Sequence, residues 1–410
     1  MCLPELYHSF TDCIPICELI VGRRTFLDTL VQVDRKPLHH EEITLRRIVA
    51  YALENGASDI HLNVGRPPSI RIEGVLRFTE IRPLTEDDML QFLDEIMSPQ
   101  QKQNFIETGD TDLAVSLPDL GRFRVNCYRQ RGTTAMALRY VRSDLPNFRS
   151  LHLPGKAMER IAALPRGLVL VTGTTSSGKS TTLAALIDRI NETRNGRIVT
   201  LEDPIEYLHP DKKCSVSQRE VGIDTKDFKT GLRAILREDP NVILIGELRD
   251  AETFHTCLGA AETGHLVFST LHTTNVTMTI NRLLDMFPPE QHAQVRSQLA
   301  LQLRSIISQR LLPSADGKGR VPAVEVMFND PGVASLIREN EIERIPNAIA
   351  DGEDDGMQTF NMALVGLVKR KAVTQEAAEW ASDNPDALKM NLQGIFGSRD
   401  RGGISKHSTS

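Results

Sequence analysis

Paired cysteines, long apolar runs and a dominant charge are what this sequence lacks. Its six cysteines (Cys2, Cys13, Cys17, Cys127, Cys214 and Cys257) show no CxxC spacing. That excludes a disulfide framework and suits a reducing cytoplasm. Cys13 and Cys17 could sit one helical turn apart and hold a metal with outside ligands; three cysteines in an unanchored leader is the simpler reading. No apolar run approaches the length that spans a bilayer, and residues 1–20 lack a signal-peptide layout. Membrane association would therefore be peripheral, through a partner. A net charge of −6 exerts no overall pull toward nucleic acid or anionic lipid. Aromatic residues make up only 5% and form no stripe with basic ones, which counts against a track for single-stranded nucleic acid.

What is present is the composition of a soluble globular protein, 40% hydrophobic and 25% charged, and 410 residues suffice for two or three cores. Residues 1–38 carry isolated apolar clusters without a pattern and are expected to be a poorly ordered extension. Between 39 and 145 the pattern is that of a small α+β domain. Ile43, Leu45, Ile48, Val49 and Leu53 recur at helical spacing, "SIRIEGVLRFTEIRPL" alternates like two strands with Glu73-Gly74 as their turn, and "GRFRVNCYRQRGTTAMALRYVRS" alternates again. Residues 146–155, rich in proline and polar groups, read as the linker.

From 156 to 394 short continuous apolar runs alternate with amphipathic helices, the signature of a buried parallel sheet. The runs are "LVLVTG" (168–173), "RIVTLED" (197–203), "NVILIGE" (241–247) and "HLVFSTLH" (265–272). The chain after 275 reads as helical. In "QVRSQLALQLRSIISQRLL" the residues Leu299, Leu303, Ile306, Ile307 and Leu311 fall on one helical face, and "PGVASLIREN" and "MQTFNMALVGLVKR" are further helices. Residues 395–410 are polar and expected to be disordered.

The run GTTSSGKS, from Gly173 to Ser180, fits GxxxxGK[ST], a pattern that chance supplies in roughly one chain in a hundred of this length. It follows a buried strand and opens the helix "KSTTLAALIDRI", the layout a phosphate cradle needs. Gly173, Thr174, Thr175, Ser176, Ser177 and Gly178 let backbone N–H groups turn inward on phosphate oxygens. Lys179 pairs with the β/γ oxygens, Ser180 ligates Mg²⁺, and Thr181 continues the helix N-terminus. This is a nucleoside triphosphate site, with ATP and Mg²⁺ as its ligands.

Three polar clusters end the other strands, where a doubly wound sheet gathers its ligands. "LEDPIE" offers Glu202, Asp203 and Glu206 to position or deprotonate a water, with Asp203 equally able to be a cap. "ILIGELRD" ends a buried strand in Glu247, placed to hold Mg²⁺ through water. "AETGHLVFSTLHT" sets His265 before a strand and His272 after it, both read as sensors of the terminal phosphate.

In that order, with "GASDIHL" ahead of them, these motifs resemble the secretion ATPase superfamily of type II secretion and type IV pili, over about residues 40–385. The resemblance implies an α/β fold: a RecA-like P-loop NTPase core behind a smaller PAS-like domain, assembled as a homohexamer at the cytoplasmic face of the inner membrane. It implies Glu206 as general base and Glu247 as the Walker B acid. It also matches Arg124 and Arg139, in "RFRVN" and "ALRYV", to residues that contact nucleotide phosphates; without it, both would read as a solvated strand face. Arg219, Arg233 and Arg237 could serve a subunit interface or surface ion pairs equally well.

Extension motors of this superfamily carry a four-cysteine zinc element after their "SQRL" helix. Here the segment is "SQRLLPSADGKGRVPAVEV", with no cysteine after Cys257. Together with the lack of a large N-terminal domain, this resembles the retraction branch of the pilus ATPases, the PilT/PilU type. The branch implies an inner-membrane pilus platform protein as partner and, in mixed rings, a paralogous retraction ATPase. "PGVASLIREN" is similar to the branch's C-terminal motif, with Ala334 where its first arginine is usual. The cradle departs from GPTGSGKS at Thr174 and Ser176. A serine at 176 would cost on the order of 1 kcal/mol if its φ is positive.

Overall fold

The structure, a computed structural model, describes residues 43–72 and 74–395, and within them the chain divides into two compact units at Tyr140/Val141. Cys2, Cys13, Cys17 and the expected extension and tail lie outside the described residues, as does Glu73.

The smaller unit opens on helix α1 (Leu45–Glu54), capped by the Thr44 side chain, which accepts the Arg47 N–H. Leu45, Ile48, Val49 and Ala52 are its buried face, with Ile43 and Leu53 half-buried at the margin. Strands β1 (Asp59–Asn63), β2 (Ser69–Ile72) and β3 (Val75–Phe78) follow, then α2 (Glu86–Ile96), α3 (Pro99–Thr108), β4 (Asp110–Leu117), β5 (Gly121–Gln130) and β6 (Thr133–Val141). Their sheet runs β3-β2-β1-β6-β5-β4. β2 and β3 pair antiparallel with Ile72 opposite Val75, while the expected turn falls on Glu73, outside the described residues. The core lies between one sheet face and the helices, with Phe92, Met89, Leu62, Met136 and Phe123 fully buried.

The larger unit contains α4 (Gly155–Ala162), β7 (Gly167–Thr172), α5 (Lys179–Thr193), β8 (Gly196–Glu202), β9 (Cys214–Glu220), α6 (Phe228–Ile235), β10 (Val242–Ile245), α7 (Ala251–Glu262) and β11 (Leu266–Leu271). Then come α8 (Val276–Leu284), α9 (His292–Gln302), β12 (Leu303–Pro313), β13 (Arg320–Phe328), α10 (Pro331–Glu339), α11 (Ile345–Asp351), α12 (Phe360–Lys369), α13 (Gln375–Ala381) and α14 (Pro385–Leu392). The sheet order is β13-β12-β7-β11-β10-β8-β9, parallel except for the edge strand β13. All six residues of β7 and of β11 are buried, as their unbroken apolar runs require. Helices α12, α13 and α14 close a separate small core over Leu312, Val321 and Ala323.

One expectation fails. The helix through 294–312 stops at Gln302, and Leu303–Pro313 is a strand lying between β7 and β13. Leu303, Ile306 and Ile307 are all buried, but on a sheet covered on both faces. A fully buried strand has no two-residue alternation to betray it, and its apolar residues fit a helical period by coincidence. The strand β13 was missed for the same reason.

Candidate active site

The buried strand β7 ends at Thr172, whose hydroxyl donates to Ser308 Oγ on β12 at 2.9 Å, both side chains fully buried. This tie sets where the next loop begins. Gly173 then takes φ 148°, and a Cβ there would stand 2.5 Å from the Gln309 carbonyl oxygen, closer than atoms pack. Glycine is therefore required. At Ser176 the backbone φ is 62°, so the left-handed angle that glycine tolerates is carried by a side-chain-bearing residue. Gly178 opens α5 with no side chain to cap it, leaving first-turn N–H groups facing the loop.

Lys179, only 8% exposed, lies under this loop and donates from Nζ to the carbonyls of Gly173 (2.9 Å) and Thr174 (3.0 Å). Burial lowers its pKa, while the carboxylates of Glu206 and Glu247 act against that shift. Ser180 is half-buried one step on, and Thr181 shares a hydrogen bond of 2.9 Å with the Tyr207 hydroxyl.

A cavity of about 240 Å³ lies against the cradle, walled by Thr175, Ser176, Lys179 and Ser180 on one side and by Glu202, Asp203, Glu206, Glu247 and His272 on the other. The parallel sheet brings these together because the C-terminal ends of β7, β8, β10 and β11 share one edge. Glu202 accepts from Thr200 Oγ1 (2.7 Å) and Gln218 Nε2 (3.1 Å) and from the Glu206 backbone N–H. Burial nevertheless pushes its carboxyl up to about 7. It thus braces the turn that presents Glu206, which is exposed on the cavity wall. Glu247 is paired with Arg249 and lies 3.5 Å from His272 Nε2. Arg249 also approaches exposed Asp203 at 3.6 Å, and no helix follows Asp203 before the next strand, so it caps none.

His265 is not part of this group. It precedes β11, whose six residues place it roughly 20 Å from the opposite end. There its Nδ1 donates to the Ala260 carbonyl at 2.8 Å, closing the end of α7. The expectation that both histidines sense the phosphate is corrected: a parallel sheet puts a residue before a strand on the wrong edge. Arg124 and Arg139 belong to the smaller unit. Arg139 Nε is held by Asp59 at 2.7 Å, and Arg124 sits half-buried on β5 opposite Ala114. Arg219 and Arg233 form ion pairs with Glu238 (2.8 Å) and Glu252 (2.6 Å). Ala334 is half-buried against the core of the larger unit.

Sequence reasoning passed over Arg249, Tyr207 and Gln309. The first two adjoin Glu247 and Glu206 in their motifs, so their position was a signal. Gln309 gave none, since it meets the cradle only through the β12–β7 pairing.

The donors fit a magnesium nucleotide. Among the described residues no cluster of three or more His, Cys, Asp or Glu forms a cage for an ion. One hydroxyl and one carboxylate, Ser180 and Glu247, are instead what Mg²⁺ takes from protein when phosphates complete its shell.

The family described as Type II/IV secretion system protein matches residues 33–388. The chain is 44% identical over 342 residues to the type IV pilus retractation ATPase PilT of Pseudomonas aeruginosa, covering 83% of this chain and 99% of that one. It is 37% identical over 347 residues to the type IV pilus ATPase PilU of the same organism, covering 85% and 91%. Among solved structures, the pilus retraction motor PilT with bound ADP superposes with a TM-score of 0.78 at 46% identity, over 85% of this chain and 99% of that one.

Proposed function

This chain belongs to the Type II/IV secretion system protein family, and from that premise we propose that it is an Mg-ATP-driven motor, assembled as a homohexamer, that retracts type IV pili. It is an ATPase of the PilT/PilU type. The observation that carries the mechanism is the convergence of Lys179, Ser180, Glu206 and Glu247 on one cavity.

The loop N–H groups and the α5 N-terminus bind the phosphates, and Lys179 exchanges its two loop carbonyls for phosphate oxygens. Ser180 and Glu247 would hold the magnesium ion, which when bound neutralises charge on the β- and γ-phosphoryl oxygens. Glu206 takes the proton of the attacking water, with Glu202 bracing its turn. His272 stands beside Glu247, where it registers the terminal phosphate. Arg124 and Arg139 are proposed to supply guanidinium charge to nucleotide in the ring, which would couple hydrolysis to movement of the smaller units. The partners proposed are further copies of the chain, a paralogous retraction ATPase in mixed rings, and an inner-membrane pilus platform protein. Attachment at the membrane would be peripheral; among the described residues no helix is long and apolar enough to cross it.

The left-handed backbone at Ser176 favours a second reading, an accessory subunit that binds nucleotide with weak turnover of its own. Steady-state ATPase measurements decide between them. Turnover well above that of Lys179→Ala and Glu206→Gln supports the motor; turnover equal to theirs supports the accessory subunit. Deleting the gene is expected to leave surface pili without motility, whereas bald cells would refute retraction.

A further inference from the structure

Two ionisable side chains of the larger unit, buried Glu325 and half-buried Arg310, lie outside the cavity, yet both grip the chain that leaves His272. Glu325, on β13 and 7% exposed, accepts the Val276 N–H at 2.8 Å. Val276 is the first residue of α8, and Asn275 already caps that helix through Met278 N at 2.9 Å. Arg310, on β12, donates from Nη2 to the Thr274 carbonyl (3.3 Å) and to Asp383 Oδ2 (2.7 Å), and from Nη1 to the Ala381 carbonyl at the end of α13. Its guanidinium lies 4.1 Å from the centre of the Phe360 ring, where α12 begins.

Only Thr273, Thr274 and Asn275 separate His272 from α8, so the segment is held at both of its last steps by side chains from distant strands. Burying a carboxyl is costly unless it is well bonded. Arg310 spends its bonds on this segment and on the C-terminal helices, and Glu325 spends its bonds on this segment and on Ser308 of β12. The same strand also supports the cradle, through Ser308 on Thr172 and the Gln309 carbonyl beneath Gly173.

The geometry points to Arg310 and Glu325 as positioning residues that fix His272 against Glu247, with the C-terminal helices α12 and α13 anchoring Arg310. The inference rests on the reading of Glu247 and His272 as parts of the hydrolytic site. A shift of about 1 Å in a group of this kind lowers turnover by as much as 100-fold without removing a catalytic atom. The state of the C-terminal helices is then communicated to the site through one guanidinium.

The test uses the full-length protein, with Arg310→Ala, Arg310→Lys, Glu325→Ala and Asp383→Ala, each alone and combined with His272→Ala. Asp383 is exposed, so its variant keeps the fold while loosening the anchor. Backbone hydrogen exchange over residues 272–279 is expected to quicken about tenfold or more in Arg310→Ala and Glu325→Ala, as lost hydrogen bonds unpin the segment. The kcat for ATP is expected to fall about 10- to 100-fold, with KM and the affinity for a fluorescent ADP changed less than about twofold. Lysine, lacking the planar fork, should restore only part of that loss. Asp383→Ala should move both readouts the same way by a smaller factor. In the His272→Ala background the same substitutions should add nothing further. Unchanged exchange in all four variants overturns the clamp. Losses that multiply with that of His272→Ala overturn the positioning role. A wild-type protein without turnover would instead refute the proposed function, and the exchange data would still judge the clamp.

Discussion

Replacing Gly173 by alanine tests the packing beneath the phosphate cradle. The added Cβ would stand 2.5 Å from the Gln309 carbonyl oxygen and still nearer to Ser177 Oγ. Ordinary contact begins roughly 1 Å further out. Neither neighbour yields easily. Gln309 belongs to an inner strand paired on both sides, and Ser177 is buried within the loop. The backbone angle of 148° adds strain of about 1–3 kcal/mol for any side chain, and overpacking adds about 1–3 kcal/mol more. The sum, about 2–6 kcal/mol, must appear as lost stability or as a displaced loop. At about 2–4 °C per kcal/mol, the first outcome lowers Tm by at least about 4 °C. A displaced loop spares Tm but weakens fluorescent ADP binding by about 30-fold or more, since each 1.4 kcal/mol is tenfold. Gly259→Ala is the control: it lies inside α7 with nothing within 4 Å of its added Cβ, and should be neutral or stabilising by up to about 1 kcal/mol. A Gly173→Ala protein that melts within 1 °C of wild type and binds ADP within about twofold would refute the packing argument.

Ser176→Gly should stabilise the chain by at most about 1 kcal/mol, because relief of the left-handed angle outweighs glycine's greater unfolded-state entropy; a Tm loss equivalent to more than 1 kcal/mol would contradict it. Lys179→Ala should abolish nucleotide binding and turnover in titration and ATPase assays while melting near wild type, and unimpaired hydrolysis would defeat the cradle reading. Tyr207→Phe removes the hydroxyl bonded to Thr181 and should weaken ADP affinity by about 1 kcal/mol, near fivefold, with no effect counting against that tie. Glu325 is held near 7 by burial against an ordinary 4.5, so the folded state keeps its proton to higher pH than the unfolded chain. Stability from this group is therefore full below pH 4.5, declines as pH rises to about 7, and is level above, a loss of up to about 3 kcal/mol. Glu325→Gln should flatten that decline in melts between pH 5 and 8, and equal slopes for the two proteins would refute the assignment.

The sheet strands β7, β8, β10 and β11 were readable because each is a short, unbroken apolar run ended by polar residues. The loop between β7 and α5 was readable because its pattern is contained within eight consecutive residues, Gly173 to Ser180. Glu202, Glu206 and Glu247 followed from strand ends, since parallel strands share an edge. The same rule, applied to His265, would have set it apart from His272. The strand Leu303–Pro313 was not readable, because a run buried on both faces shows no alternation and mimics a helical face.

Sequence alone determined the strand–loop–helix around Gly173–Ser180, the carboxylates at the neighbouring strand ends and the parallel core, each marked by a local pattern in the chain. Tertiary structure alone decided the left-handed angle at Ser176, the support of Gly173 by Gln309, and the grip of Arg310 and Glu325 on the His272 segment. Those features arise where strands pair and helices pack between segments far apart in sequence, and such proximity leaves no local pattern in the residues themselves.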